Sequence, residues 1–187
     1  MNTTIQTETE LSSVNSILMA IGQAPINRIC QKNKDDEFVY INPEVALVHS
    51  LLMEVNADVQ NEGWVFNREN NYPFTPQSDG IIEVPENVLR MDVYENDVYR
   101  TTDLVKRQGK LYDKLNHTFE FDPLKAIHFN IVWKWEYEDL PPVFKRYVTL
   151  RASGRAATQL VTNPQLCLLY TSPSPRDQRG SRMPSSA

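Results

Sequence analysis

Cysteine is scarce in this sequence. It occurs twice in 187 residues, as Cys30 and Cys167, too few for a disulfide framework or a zinc site. The six glycines stand apart from one another, so no glycine-rich phosphate or dinucleotide cradle is present. G-x-S-x-G, H-E-x-x-H and metal-spaced cysteine pairs are also missing. No apolar run approaches the roughly 20 residues that a membrane helix needs. Positive charge is in deficit: 19 Lys and Arg face 24 Asp and Glu, a net charge of −5. A basic nucleic-acid footprint over the whole chain is thereby excluded. Residues 1–10 lack a basic region followed by an apolar one, so no secretion signal is expected. Asn116-His-Thr118 is accordingly read as a chance glycosylation sequon.

What remains is an ordinary globular composition, with 41% hydrophobic, 23% charged and 10% aromatic residues. A chain of this length typically buries about 70% of its unfolded surface. One α+β domain is expected over residues 1–166. The first helix is read over about 10–21. Thr9 caps it, Gly22 ends it, and Leu11, Val14, Ile17, Leu18 and Ile21 form its buried stripe. Ser12, Ser13, Asn15 and Ser16 face away. Residues 23–42 read as a connection, with the charge run 32–37 an exposed loop. The second helix spans about 43–62, with Asn42 as cap, Pro43 in the first turn and Gly63 as stop. Val45, Val48, Leu52, Val55 and Val59 make its stripe, widened by Leu47 and Leu51.

From about 64 to 136 the period changes to short β-rich runs separated by turn signals. Gln108-Gly109 reads as a hairpin turn. Residues 126–135 alternate and form the longest strand. The third helix is expected over 140–161, with Asp139 as its cap and small residues (Ala152, Ser153, Gly154, Ala156, Ala157) that let another backbone come close. Asn163-Pro164 should interrupt it. Together these elements predict a helical bundle with an inserted small antiparallel β region.

Candidates for chemistry are few. His49 lies on the second helix between apolar positions and reads as a partly buried, hydrogen-bonded histidine. His117 sits in a turn, and His128 faces the solvent side of its strand. A glycosidase-style carboxylate pair would draw on Asp92, Glu95 and Asp97 beside Tyr94 and Tyr99, although the same residues describe an ordinary sheet edge. No catalytic, cofactor or metal residue is assigned. Trp133 and Trp135 share a strand face, and burial and interface readings weigh equally for them. Trp133, Trp135, Leu150, Ala157 and Leu160 are the candidate interface residues.

Residues 167–187 break in composition, being rich in Ser, Pro and Arg with no period. Cys167-Leu-Leu-Tyr-Thr-Ser-Pro-Ser-Pro-Arg-Asp177 and Ser181-Arg-Met-Pro-Ser-Ser-Ala187 resemble the two ends of translated sequencing-adapter DNA, in the right order. The stretch is expected to be a non-native, disordered tail, with family-like sequence ending near Leu166. Without it the net charge falls to −7.

Several segments together resemble one protein family. Glu10-Leu-Ser-Ser-Val-Asn-Ser-Ile-Leu-Met-Ala-Ile-Gly22 with Ala24-Pro-Ile26 resembles the opening of the tail tubular protein A family of short-tailed phages. Glu62-Gly-Trp-Val-Phe-Asn67 resembles its segment at the exit of the second helix. Leu111-Tyr-Asp113 with Asn116-His-Thr118, and Tyr137-Glu-Asp-Leu-Pro leading to Arg146-Tyr-Val148, resemble later landmarks, collinear over about 9–166. The resemblance implies a virion structural protein without catalysis or cofactor, made in the host cytoplasm. Twelve copies would form a ring between the portal protein and the tail nozzle (tail tubular protein B), with double-stranded DNA passing through the lumen. It also implies a further C-terminal helix and segment beyond those visible here. A carbohydrate-acting tail hydrolase and a non-viral α+β interaction module are the alternatives weighed.

Overall fold

A computed structural model describes residues 8–33 and 36–161. It is a mixed α+β protein whose sheets are all antiparallel. The described residues fold as two compact units, one up to Val55 and again from Leu140, and the other Asn56–Asp139. Asn163-Pro164 and residues 167–187, where a helix break and a non-native tail are expected, lie outside the described residues.

The first unit is built on helices. Helix α1 (Glu10–Ala20) begins at Thr9, whose hydroxyl accepts from Ser12 N while the Ser12 hydroxyl accepts from Thr9 N. It ends in a Schellman arrangement, with Gly22 N donating to Met19 O and Gln23 N to Leu18 O. Val14, Ile17 and Leu18 are buried as expected, but so is Ser13, which the pattern had turned outward. Its small side chain sits on the helix that packs against α3 (Pro142–Ala156), whose Ala152, Ser153 and Ala156 are equally small and buried. Close approach, rather than polarity, decides burial there. Buried hydroxyls on α3 are satisfied locally: Ser153 Oγ donates to Thr149 O, and Thr149 Oγ1 to Lys145 O. The N-cap of α3 is Pro141 and not Asp139, which lies in a separate 3-10 turn (Tyr137–Asp139). The first helical turn needs no side-chain cap where proline removes a donor.

Residues 23–42 are not a plain connection. Strands β1 (Cys30–Lys32) and β2 (Phe38–Tyr40) form a short hairpin. Three-residue strands carry too little alternation to register as a period, and all of β2 is exposed. Helix α2 (Pro43–Asn61) starts with Asn42 Oδ1 accepting from Val45 N. Its buried stripe is Val45, Val48, Leu51, Leu52, Val55 and Val59. Leu47 is exposed, so the stripe is widened on one side only.

The second unit holds the sheets. β3 (Arg68–Phe74), β7 (Ile127–Trp133) and β4 (Val88–Val93) pair in that order. β5 (Leu104–Arg107) and β6 (Lys110–Asp113) form the hairpin predicted around Gln108-Gly109. Both turn residues have positive φ, 54° and 72°, the conformation a two-residue primed turn requires. Alternation along β7 buries Ile127, Phe129, Ile131 and Trp133 on one face. They join Phe74, Ile82, Val84, Val88, Leu104, Leu111 and Phe121 in a single core. Edge-to-face contacts between Phe74 and Phe129, and between Tyr72 and Trp133, add to it.

Candidate interaction surfaces and family landmarks

The segments that carry the resemblance spend their polar atoms on the chain's own backbone. In the first unit, the Asn15 amide grips Ile26 in both directions. Its Nδ2 donates to Ile26 O at 2.9 Å, and its Oδ1 accepts from Ile26 N at 2.8 Å. The polar residue inside the opening helix thus fixes the Ala24-Pro-Ile26 exit.

A larger version closes the second unit. The left-handed φ of Gly63, +75°, turns the chain out of α2. Trp64 Nε1 then donates to Val59 O, covering a helix-end carbonyl. Asn67 is 1% exposed and makes three bonds. Its Oδ1 accepts from Trp64 N, and its Nδ2 donates to Gln60 O and Trp133 O, each at 2.8 Å. Gln60, fully buried, grips Trp135 in both directions, accepting from Trp135 N and donating to Trp135 O. Each amide side chain stands in for a strand partner, so the backbone groups it meets are not stranded.

The later landmark behaves alike. One Asp113 oxygen accepts from Leu115 N and Asn116 N, and the other from Asn116 Nδ2. Burial alone would raise this carboxyl's pKa. The Asn116 and Leu115 donors outweigh it, with His117 nearby, and hold the value below the ordinary one.

The carboxylates considered for catalysis separate in the same way. The Asp97 side chain is almost wholly covered, and its pKa is also lowered. Desolvation pushes it up, but Tyr99 N, His128 N and His128 Nδ1 all donate to it and prevail. It anchors a loop to β7. His128 is therefore a hydrogen-bond partner of Asp97 and not a freely solvated side chain. Asp92 is exposed beside Arg90, 3.8 Å away, and Glu95 lies in an exposed turn. His49 accepts from or donates to Tyr40 Oη at 3.0 Å, with Glu10 Oε2 3.5 Å from Nε2. Among the described residues no group of His, Cys, Asp and Glu stands together as a metal site. No helix among them is long and apolar enough to cross a membrane.

The candidate interface residues fall into two sets. Trp133 is 7% exposed and part of the core, and Ala157 is fully buried. Trp135, Leu150 and Leu160 are each about two-fifths exposed, at 38%, 40% and 40%. Trp135 lies just past the end of β7, with its ring 6.5 Å from that of Trp133. Its backbone is pinned while its ring stays accessible. Sequence reading missed the pinning residues, Gln60 and Asn67, because an amide in a helix or loop carries no periodic signal.

No curated protein is similar enough to register as a match. The family profile described as tail tubular protein matches residues 11–176. It spans the landmarks above from Leu11 onward and passes Leu166 into the stretch where composition changes. Coverage of most of the sequence, with landmarks that have a physical role in the fold, decides the matter: the chain belongs to the tail tubular protein family, structural proteins of the phage tail.

Proposed function

We propose that the protein is a subunit of the ring-shaped adaptor that joins the portal to the tail nozzle. The ring is a homo-oligomer of about twelve copies, and genome DNA leaves through its lumen. It works by fit between copies and neighbours, with no bond-making step. One observation supports this reading above the others: polar side chains at the family landmarks are committed to the fold, while large apolar side chains on regular elements are left uncovered. Phe38, Leu47, Val143, Leu150 and Leu160 are all at least 40% exposed. Such residues on helix and strand faces suit subunit contacts. The three helices are taken to bundle and supply the frame, with Trp135, Leu150 and Leu160 in contact with a neighbour. Head-to-tail contacts close a ring when the rotation per subunit fits. Interfaces of the standard size, about 1,600 Å², would hold it. The acidic balance suits a conduit, because it does not retain phosphates.

Electron microscopy of the full-length protein mixed with portal tests the proposal. Closed rings seated on portal are expected, and monomers alone would refute it.

A further inference from the structure

The face of the β3–β7–β4 sheet opposite the core carries an unusual charge arrangement. Register places Val132 between Arg68 on one side and Arg90 on the other, with Asn130 beside Asp92. With Asn70 they line a shallow depression of about 230 Å³. Gly63 borders it. The Nη2 atoms of both arginines lie 3.2 Å from the point where a Cβ on Gly63 would stand. The two guanidiniums therefore approach each other beside Gly63, and both line the depression.

Little of their capacity is used internally. Arg68 Nη2 donates to Gly63 O at 3.0 Å, a contact that the negative end of α2 favours. Arg90 Nε stands 3.8 Å from Asp92 Oδ2, a long ion pair with both side chains about half exposed or more. Each guanidinium carries five N–H donors. Two positive charges facing one distant carboxylate leave a local positive excess on an acidic chain. Paired, planar donors are the geometry that recognises carboxylate and phosphate.

We propose that Arg68 and Arg90 form an oxyanion site that takes an Asp or Glu carboxylate from a neighbouring copy of this chain. The chain offers 24 such residues at a net charge of −5, so the complement is abundant on a second copy. A nucleic-acid backbone fits less well. Duplex DNA is held by several phosphates at once, whereas here one arginine pair stands beside Asp92. The neighbour comes from the assembly proposed above, but the binding chemistry does not depend on ring closure.

The Leu150→Asp variant, expected to remain monomeric and so to leave the site open, is titrated with N-acetylglutamate at constant ionic strength, following the arginine Nε–Hε signals and the amides of residues 130–132 by NMR. Saturable shifts are expected. Arg90→Gln should weaken binding about tenfold, the scale of one charged contact. Asp92→Asn, which removes the competing carboxylate, should tighten it. Opposite signs from two exposed substitutions separate binding from a merely structural role. Absence of saturation, equal affinity in Arg90→Gln, or weakening in Asp92→Asn would overturn the proposal. So would a short DNA duplex that shifts the same signals more strongly than N-acetylglutamate at equal anion concentration.

Discussion

The two units of this chain are held together by different means. The sheet unit buries amides and carboxylates and satisfies each of them: Gln60, Asn67, Asp97 and Asp113 fix where helix, strands and loops meet. Its most exposed apolar side chains, Val65, Val98, Leu115 and Leu124, sit on turns. The helical unit relies on apolar stripes and small-residue contact, and its exposed apolar side chains lie on regular elements: Phe38 on β2, Leu47 on α2, Val143 and Leu150 on α3. A hydrogen-bonded clasp specifies one geometry, because a half-satisfied buried network costs more than none. An uncovered apolar face instead leaves room for a neighbour. The helical unit thus leaves large apolar side chains uncovered on its helices and strands, whereas the most exposed ones of the sheet unit stand on turns.

The sharpest way to break that contrast is Asn67→Ala. It removes three hydrogen bonds, two of them buried, and strands their partners, which should cost about 3–5 kcal/mol. Urea unfolding measures the loss, and hydrogen exchange should place it in β7 and the end of α2. Val14→Ala in the helical unit deletes two buried methyl groups and should cost about 2 kcal/mol. If the valine substitution proved the more damaging, the polar clasps would not be what specifies the sheet unit.

A smaller effect follows from Asp97. Its carboxylate form is the stabilising one, since its folded pKa lies below the ordinary 3.8. Its contribution is complete above that value and fades as pH falls through the lower folded one. Asp97→Asn should therefore flatten the acid side of the stability profile, from about pH 5 downward. An unchanged slope would show that the anchor carries no linkage. Smallest of all, Leu150→Ser should alter the stability of the isolated chain by less than about 0.5 kcal/mol, measured by thermal unfolding of dilute protein. A larger loss would place Leu150 inside the fold and remove it from the contact face.

Much of the frame is legible in the sequence because its signals are local. Thr9, Asn42, Gly22, Gly63 and the Gln108-Gly109 turn mark boundaries within a few residues of themselves. The alternation of 127–133 reveals the central strand for the same reason. What escaped is either short or relational. The β1–β2 hairpin has too few residues to show a period. Ser13 is buried on the helix that packs against α3, a tertiary contact that no pattern on α1 records. The bonds of Gln60 to Trp135 span 75 positions, so neither residue announces the other. Asp97 looked like a candidate acid and is an anchor, a distinction made only by the donors around it.

The account turns on whether uncovered apolar residues of the helical unit meet other copies. Native mass spectrometry of the full-length protein beside Leu150→Asp, at matched concentration, tests this directly. A closed oligomer for the parent, with folded monomers for the variant, is the predicted result. A parent that stays monomeric at every concentration, or a variant that assembles unchanged, would contradict it.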